Sequence, residues 1–512
     1  MLKPNKKQIW KAITTLFFLT AGNLVFFLTI WLCGKYDRVS LDQFIYNMKS
    51  STVGSNSSLV GSALFQVGGF GIALTLFEIF LYFLFAGKLP GMIKKIFKSD
   101  ERYLKMTAHK VCKFFIAHVF PIALAVFFLA ITFFIARLDV FTYVQNISTD
   151  SSFIEEQYVD PADVQITFPE TKRNLVYIFL ESLEVTFAEP EAGGPITDNF
   201  MPELTEMAEN NINFSNDDGL GGALSYSGTT WTAAAMVTQT SGLILQVPLT
   251  APNFSGNHAY LPGVTNIGEI LAAEGYTNTL VVGSNADFHD RADYFEDHGN
   301  YDIIDTESLK AEGRLDEDYR VWWGFEDALL FEYAKEELTR VASEGSPFNF
   351  TLLTCDTHFP NGYVCADCED IYGEQYPNVI RCSSKKVEEF VLWIQQQPFY
   401  ENTTIVIAGD HLTMDPDFMK DVDENYERTV YNCIINAPVE PVSEKNRLFG
   451  TYDMMPTTLA ALGATIEGNR LGLGTNLFSD TPTLTEEFGF DLVNLEFQRN
   501  SEFYNKKFLG ME

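Results

Sequence analysis

The sequence predicts an α/β protein in which transmembrane helices at the amino terminus precede an α/β sandwich with a mostly parallel central sheet. Three observations support this fold: three long apolar runs, a change from basic to acidic composition after residue 137, and four short apolar runs that alternate with helix-like stretches. They divide the chain into a membrane domain (1–137), a linker (138–170), a soluble domain (171–480) and a carboxyl-terminal tail (481–512).

The three long apolar runs are each long enough to cross a bilayer. They cover Ala12–Cys33, Leu59–Gly87 and Phe114–Ala136, and the first and third contain no charged residue. A cleaved signal peptide would explain only the first run, so we expect three transmembrane helices and an integral membrane protein. Glu78, inside the second run, has a functional role within the membrane, extends its carboxylate to water, or pairs with a neighbouring helix.

The distribution of charge predicts the orientation of these helices. Residues 1–137 contain 16 Lys and Arg against 5 Asp and Glu, whereas the remainder contains 19 against 63. Basic residues beside a membrane span tend to stay in the cytoplasm. Here they are Lys3, Lys6, Lys7, Lys88, Lys94, Lys95, Lys98, Arg102, Lys105 and Lys110. We therefore expect everything after Arg137 outside the cytoplasm, and its strong acidity argues against nucleic acid as a partner.

The soluble domain contains four short apolar runs of the kind found in fully buried strands. They read NLVYIFLES, NTLVVGSN, FNFTLLTCDTH and TTIVIAGDH. Helix-like stretches separate them, at 201–210, 265–274, 320–343 and 384–397. Buried strands that alternate with helices are typical of a parallel sheet covered on both faces, so we predict a doubly wound sandwich.

Each of these strands ends in polar side chains. They are Glu181 after the first, His289 and Arg291 beyond the second, Asp356 and His358 after the third, and Asp410 and His411 after the fourth. Ligands of open parallel sheets bind beyond the carboxyl ends of the strands. Any one of these residues alone is more typical of a turn or a solvated surface, but four polar strand ends at one edge predict a shared cleft.

Glu181, Asp410 and His411 form a candidate metal site. Two carboxylates and one imidazole suit Mn²⁺, Mg²⁺ or Zn²⁺. Three protein ligands leave a position open, as catalytic metal sites require. The set therefore predicts metal-dependent chemistry at the cleft.

Thr232 is the candidate nucleophile. It stands at the start of a helix predicted over 231–240, in the stretch SYSGTTWTAAAM. The hydroxyls of this stretch would also serve as helix caps, but a nearby metal favours the alkoxide of a threonine. With Arg291 holding phosphate oxygens and His358 transferring protons, the residues allow phosphoryl transfer through a covalent threonine intermediate.

Three of the seven cysteines cluster in the soluble domain: Cys365, Cys368 and Cys382. Outside the cytoplasm such cysteines favour disulfides. The CADC stretch lacks the second ligand pair of a zinc knuckle. We expect one disulfide between Cys382 and either Cys368 or Cys365, and buried thiols at Cys355 and Cys433.

Several longer stretches resemble the phosphoglycerol transferase I family of Gram-negative bacteria. They are NLVYIFLESLEVTF, MPELTEMAENNINFSN, GTTWTAAAMVTQTSGL, DTHFPNGY, GDHLTM and RLGLGTNLF, in the family's order, over about residues 171–480. That family belongs to the alkaline phosphatase and sulfatase superfamily and is related to lipoteichoic acid synthases. The resemblance implies a sulfatase-like fold, with the catalytic domain of a multi-pass inner-membrane protein in the periplasm.

The resemblance also implies an activity. Family members take phosphoglycerol from phosphatidylglycerol, release diacylglycerol, and pass the group to a hydroxyl of a periplasmic glucan or another envelope glycan. A membrane lipid is then the donor and a glycan the acceptor. By similarity to the lipoteichoic acid synthases, Mn²⁺ is the expected metal, with Zn²⁺ or Mg²⁺ as alternatives.

The family's functional residues fall on positions of this chain. The metal-binding glutamate falls on Glu181, the nucleophilic threonine on Thr232, and the metal-binding pair on Asp410 and His411. The residues that contact phosphoglycerol fall on Arg291 and His358. His289 stands where lipoteichoic acid synthases have a tryptophan two residues before the arginine, so the glycerol pocket differs here. The resemblance pairs Cys368 with Cys382 and leaves Cys365 as an extra cysteine.

Four other functions compete with this one. A phosphoethanolamine transferase would use the same threonine and metal with phosphatidylethanolamine, although the TAAAMVTQTSG stretch favours phosphoglycerol. A non-catalytic membrane sensor or binding protein on this fold would have lost a metal ligand, and here the set is complete. A sulfatase is disfavoured because no Cys or Ser followed by Pro and Arg surrounds Thr232. A phosphatase would differ only in letting water attack the intermediate.

Overall fold

The computed structural model describes residues 6–37, 41–84, 102–254 and 259–511. The chain forms two compact units. One combines Met1–Val39 with Asn56–Tyr143, and the other combines Ser40–Ser55 with Val144–Glu512. The short segment between the first two apolar runs therefore belongs to the same unit as the acidic part of the chain. Lys3 and Lys88–Lys98, on which the predicted orientation rests, lie outside the described residues.

The first unit is helical. Its helices are Lys6–Lys35, Ser57–Ala63, Phe70–Phe83 and Arg102–Arg137, with a π-helical stretch at Leu64–Gly69. By length and composition, Lys6–Lys35, Ser58–Phe83 and Lys113–Arg137 are long and apolar enough to cross a membrane, with mean hydropathies of 2.1, 1.8 and 2.7. The predicted apolar helices are thus present.

Glu78 pairs with a neighbouring helix. The Asn23 side-chain amide donates hydrogen bonds to Glu78 Oε2 at 2.9 Å and to Thr75 Oγ1 at 3.0 Å. A polar pair of this kind satisfies groups that an apolar environment would otherwise leave without partners. Of the alternatives expected for Glu78, pairing with a neighbouring helix therefore has a structural counterpart.

The second unit contains the sheet. Its strands in chain order are β1 (Ile166–Thr167), β2 (Asn174–Leu180), β3 (Gly222–Ala223), β4 (Thr277–Val282), β5 (Asp302–Ile304), β6 (Phe348–Leu353), β7 (Thr403–Gly409), β8 (Val430–Ile435), β9 (Thr465–Ile466), β10 (Arg470–Leu471) and β11 (Gly474–Thr475). Seven of them form one sheet in the order β3-β8-β7-β2-β6-β4-β5. Two small antiparallel pairs, β1 with β9 and β10 with β11, lie outside it.

The centre of this sheet is parallel, as predicted. β2 pairs in parallel with β6 on one side and with β7 on the other, so that Val176 lies between Phe350 and Ile405. Every residue of β2, β6 and β7 is buried, because helices cover both faces of the sheet. Beyond β7, β8 runs antiparallel, which makes the sheet mixed at that edge.

Helices separate the strands. In the second unit they are Leu41–Lys49, Phe153–Gln157, Pro202–Asn210, Thr232–Ser241, Ile267–Ala273, Arg291–Asp297, Thr306–Ala311, Asp327–Ser343, Gln375–Gln395, Pro416–Met419, Met454–Ala461, Leu484–Phe488, Phe490–Gln498 and Glu502–Lys507; Val140–Ile147 crosses the boundary of the two units. The helix expected from residue 320 begins only at Asp327. Residues before it form a tight turn in which Trp322 has a left-handed backbone, with φ of 51°.

The helix expected from 384 begins nine residues earlier, at Gln375. Its Pro377 lies in the first turn, where a proline removes no helical hydrogen bond. Pro377 is therefore compatible with a helix that begins at Gln375, before the start expected from the sequence.

Parts of the expected linker and tail pack against the second unit. Strand β1 pairs with β9. The Tyr226 and Thr485 hydroxyls are 2.6 Å apart, and the buried Tyr504 donates a hydrogen bond to the Ile244 carbonyl at 3.0 Å. Residues on both sides of 171–480 thus contribute to this unit.

Candidate active site

The carboxyl ends of the central strands bring the predicted site residues together. Glu181 follows β2 and Asp410 follows β7, and because these two strands are neighbours their polar ends meet. His411 Nε2 lies 3.6 Å from Glu181 Oε1 and 3.5 Å from Asp410 Oδ2. All three side chains are buried. The candidate metal ligands predicted from separate strand ends therefore form one cluster.

Hydrogen bonds fix the orientation of these ligands. The backbone N–H groups of Ser182 and His411 both donate to Asp410 Oδ1, each at 2.7 Å. The Ser182 hydroxyl donates to Glu181 Oε1 at 2.7 Å. His411 Nδ1 lies 2.8 Å from the Leu412 carbonyl, which leaves Nε2 free to act as a ligand.

The cluster fits a divalent cation. Asp410 Oδ2 is buried and has no hydrogen-bond partner among the described residues, and one ligand atom from each of the three side chains lies within 4.8 Å of the others. Burial and the nearby Glu181 carboxylate raise the pKa of Asp410 to about 7. Burial alone would raise the pKa of Glu181 too, but His358 and His411 lower it. A cation at this position would relieve the repulsion between the carboxylates.

Thr232 begins the helix that faces this cluster. Its hydroxyl donates to Glu181 Oε2 at 3.2 Å and lies 3.4 Å from His411 Nε2. The helix runs from Thr232 to Ser241, so its amino-terminal end, where the dipole favours negative charge, lies at the cluster.

A glutamine joins the Thr232 helix to the strands that carry the ligands. The Gln239 side-chain amide donates to the Gly409 carbonyl at 2.9 Å and to the Asp410 carbonyl at 3.2 Å. The Tyr177 hydroxyl of β2 donates to Gln239 Oε1 at 2.8 Å. These bonds hold the helix at a fixed distance from the ends of β2 and β7.

A small cavity of about 40 Å³ opens beside Thr232. It is lined by Glu181, Thr232, Ala233, Ser284, Phe288, His289, Arg291, Trp323, Leu353, Thr354, Cys355 and His358. The predicted nucleophile and all three predicted substrate contacts, Arg291, His358 and His289, therefore line one cavity with Glu181, a candidate metal ligand. Asp356, at the end of the same strand as His358, is not among the lining residues.

Arg291 supplies a fixed cation to this cavity. Its guanidinium donates to Ser284 Oγ at 2.8 Å, to the Asn285 carbonyl at 2.9 Å and to the Phe288 carbonyl at 3.0 Å. Burial lowers the pKa of Arg291 from its usual value, but guanidinium stays protonated in proteins. A buried cation without a salt-bridge partner in the described residues suits an anionic ligand.

Burial favours the neutral form of both cavity histidines. Burial lowers the pKa of His358, and its Nδ1 lies 2.6 Å from the Phe359 carbonyl, so Nε2 carries the lone pair. Burial, with the nearby Arg291 and His358, lowers the pKa of His289 to about 3. Neutral imidazoles accept hydrogen bonds and protons, as a proton-transfer site requires.

Two residues of the site, Ser182 and Trp323, were not predicted from the sequence. Ser182 has a left-handed backbone, with φ of 56°, and positions both carboxylates through the bonds given above. Trp323 lines the cavity with its ring 4.6 Å from that of His358, and its indole N–H is buried without a partner in the described part of the chain. Trp323 lies in a turn and not at the end of a strand, so the strand pattern does not place it at the site.

The three clustered cysteines lie together as thiols. Cys365 Sγ is 3.5 Å from Cys368 Sγ and 3.8 Å from Cys382 Sγ. Lys386 Nζ lies 3.0 Å from Cys365 Sγ and 2.8 Å from Cys382 Sγ. The predicted pairing of Cys368 with Cys382 thus stays a prediction. Cys355 and Cys433 are buried thiols, as expected.

Known proteins resemble this chain over part of its length. Phosphoglycerol transferase I of Salmonella choleraesuis is 31% identical over 343 residues, which are 65% of this chain and 42% of that protein. The Escherichia coli protein of the same name is 31% identical over 325 residues, 61% of this chain and 40% of that one. The chain thus spans about two fifths of the length of these relatives.

Solved structures are similar as well. An alkaline phosphatase superfamily protein from Vibrio parahaemolyticus has a TM-score of 0.49 at 19% identity, covering 64% of this chain and 76% of that one. The lipoteichoic acid synthase LtaP from Listeria monocytogenes has a TM-score of 0.46 at 18% identity, covering 64% and 80%. The sequence pattern of the family described as Sulfatase matches residues 173–464, which is more than half of the chain. The chain belongs to the sulfatase family.

Proposed function

We propose that this chain is a membrane-anchored phosphoglycerol transferase. It takes phosphoglycerol from phosphatidylglycerol, releases diacylglycerol, and passes the group through a covalent Thr232 intermediate to a hydroxyl of a periplasmic glucan or another envelope glycan. The observation that carries this proposal is the position of the Thr232 hydroxyl, which lies between Glu181 and His411 and lines one cavity with Arg291 and His358.

Two half-reactions account for all atoms and protons. In the first, Thr232 Oγ bonds to phosphorus and the bond from phosphorus to the glyceride oxygen breaks. In the second, the acceptor oxygen bonds to phosphorus and the bond to Thr232 Oγ breaks. The threonine proton ends on diacylglycerol, and the acceptor's hydroxyl proton restores the threonine.

His358 transfers the proton in each half-reaction. Its neutral Nε2 takes the proton released by the attacking hydroxyl and returns it to the departing oxygen. The bond from Nδ1 to the Phe359 carbonyl fixes the orientation and tautomer of this ring. Arg291 binds the phosphate oxygens, and its bonds to Ser284, Asn285 and Phe288 keep its position fixed before substrate arrives.

Glu181, Asp410 and His411, with Thr232, are the residues that would hold the metal. When bound, a divalent cation lowers the pKa of the threonine hydroxyl and stabilises negative charge on the transferred group. Mn²⁺ is our first choice, with Zn²⁺ or Mg²⁺ as alternatives, since one nitrogen and several oxygen ligands suit all three.

The anchor and its orientation belong to the same proposal. We place the three apolar helices in the bacterial inner membrane and the catalytic domain in the periplasm. Residues 41–55, between the first two candidate spans, belong to the same compact unit as the catalytic residues. This supports a topology in which that segment and the catalytic domain lie on the same side of the membrane, as the basic amino terminus predicts.

Lipid turnover tests the proposal directly. The full chain is purified with Mn²⁺ and incubated with vesicles of phosphatidylglycerol or of phosphatidylethanolamine, and diacylglycerol and intact protein mass are measured. We expect diacylglycerol from phosphatidylglycerol alone, together with a protein adduct of the mass of phosphoglycerol.

The outcomes separate the competing functions. Diacylglycerol from phosphatidylethanolamine alone would identify a phosphoethanolamine transferase. Metal binding without turnover of either lipid would refute the transferase and favour the non-catalytic membrane protein. If phosphatidylglycerol is the donor, candidate glucans added to the same assay identify the acceptor as the glycan that gains phosphoglycerol and discharges the adduct.

A further inference from the structure

Residues 41–55 pack onto the site although they lie outside the region matched by the sulfatase family. The segment consists of the helix Leu41–Lys49 and the residues up to Ser55, and we call it the interspan segment. Its Tyr46 is fully buried. The Tyr46 ring lies 5.6 Å from the ring of Trp231, which immediately precedes the proposed nucleophile.

The interspan segment is also held by polar contacts. The Ser227 hydroxyl donates to Asp42 Oδ2 at 3.0 Å, and the Ser51 N–H donates to the Asp290 carboxylate at 3.1 Å. Lys49 Nζ donates to the Ala251 carbonyl at 2.5 Å. These contacts reach both the stretch before Thr232 and the turn before Arg291.

Three further contacts of the interspan segment meet at His289. Its backbone N–H donates to the Ser51 carbonyl at 3.1 Å, its own carbonyl accepts from the Tyr46 hydroxyl at 2.5 Å, and its Nε2 lies 2.6 Å from Asn47 Oδ1. The backbone of His289 is left-handed, with φ of 59°. An unfavourable conformation of this kind persists only where surrounding contacts determine it.

The side-chain contact determines which atom of His289 is available to a ligand. When Nε2 donates its hydrogen to Asn47 Oδ1, Nδ1 keeps a lone pair. Within the described residues, Nδ1 has no hydrogen-bond partner. His289 also lines the cavity beside Thr232 and Arg291, and its ring stacks on Phe288 with centroids 3.9 Å apart.

We propose that the interspan segment contributes to donor binding through Asn47, which positions His289 to accept a hydrogen bond from a hydroxyl of the donor's glycerol head group. This inference rests on the proposed function. It supplies a partner for Nδ1, because each hydroxyl of a glycerol head group can donate a hydrogen bond to that lone pair. It also assigns a role in substrate recognition to a segment outside the matched domain.

The test compares kinetic constants of full-length variants in phosphatidylglycerol vesicles. Asn47→Leu keeps the side-chain size and removes the acceptor, Asn47→Asp retains an acceptor oxygen, and Met48→Ala changes the next, exposed residue of the same helix (72% exposed). Loss of one positioned hydrogen bond predicts a rise in KM on the order of tenfold for Asn47→Leu with kcat changed less than about twofold. We expect Asn47→Asp to retain a KM within about threefold of the wild type, and Met48→Ala to match the wild type.

A double-mutant cycle with His289→Ala shows whether Asn47 acts through the histidine. We expect Asn47→Leu to have no further effect on KM once His289 is absent. An unchanged KM for Asn47→Leu, or an equal effect with and without His289, would overturn the inference. A wild-type chain that does not turn over phosphatidylglycerol would instead refute the proposed function, and this inference with it, before any variant is compared.

Discussion

The Thr232 hydroxyl donates a hydrogen bond to Glu181 Oε2 at 3.2 Å, so the proposed nucleophile contacts the carboxylate that also faces His411. Glu181 comes from the end of β2, and Thr232 from the start of a helix more than fifty residues later in the chain. Gln239 keeps these elements together through its bonds to the Gly409 and Asp410 carbonyls. The nucleophile and the candidate metal ligands are therefore positioned before any substrate binds.

Removal of this hydroxyl should abolish turnover. We expect Thr232→Ala to lower kcat by at least about a thousandfold, because this variant lacks the hydroxyl that we propose forms the covalent bond. The phosphoglycerol adduct should disappear from the intact mass spectrum. The matched control is Thr230→Val, which removes a nearby buried hydroxyl without a partner among the described residues and should retain activity. An adduct that persists in Thr232→Ala would place the nucleophile elsewhere.

Metal removal should lower thermal stability. A ligand that binds only the folded state at a hundred times its Kd stabilises a protein by about 2.7 kcal/mol, which corresponds to a rise of roughly 5 °C in the unfolding midpoint. We expect a chelator to lower the midpoint of the wild type and excess Mn²⁺ to restore it, measured by calorimetry.

Asp410→Asn is the control for this effect. Its amide oxygen can still accept the bonds from Ser182 and His411, while the uncharged nitrogen replaces the unpartnered Oδ2. We expect this variant to fold and to lose the metal-dependent rise. A rise equal to that of the wild type would show that the cation binds at another site.

Replacement of Trp323 should affect binding and stability in opposite directions. Its buried indole N–H has no partner within the described residues, and a buried unsatisfied donor costs about 1–3 kcal/mol. Trp323→Phe should therefore leave the free protein at least as stable, while KM for the donor lipid rises by about threefold to tenfold if a substrate oxygen accepts that N–H. Trp322→Phe removes a similar unpartnered N–H outside the cavity and should not change KM. Equal KM values for both variants would exclude Trp323 from substrate binding.

The cysteine cluster should hold one disulfide and one thiol in protein exported to an oxidising compartment. We expect peptide mass mapping to find Cys368 bonded to Cys382, and closure of a loop of about 15 residues to contribute about 3 kcal/mol of stability. Cys365→Ser should leave this bond intact, whereas Cys368→Ser should transfer the pairing to Cys365 and Cys382. A bond between Cys365 and Cys382 in the wild type would contradict the pairing.

The sequence predicted the centre of the sheet and the residues that meet at its edge because both follow from local patterns. Four buried strands are visible as apolar runs, and parallel strands place their polar ends side by side. Glu181, Asp410 and His411 could therefore be grouped without coordinates. The short β3 and β5, of two and three residues, are too brief to show a pattern. β8 is fully buried, and its own residues do not determine that it runs antiparallel to β7.

Contacts made by loops could not be predicted in this way. Trp323 reaches the cavity from a turn, and Asn47 reaches His289 across 242 positions of sequence. The helix that carries Asn47 lies between two apolar runs, where its sequence indicates only a short connection. Its role depends on tertiary packing of Tyr46 against Trp231, which neither segment's sequence determines alone.

The left-handed backbone of Ser182, with φ of 56°, has a consequence for how the protein would respond to selection. This conformation costs a non-glycine residue about 1–2 kcal/mol, and glycine adopts it without that cost. Glycine, however, has no hydroxyl to hold Glu181. A library of variants selected only for resistance to heat would therefore favour glycine at 182, whereas a library selected for the proposed activity would keep serine.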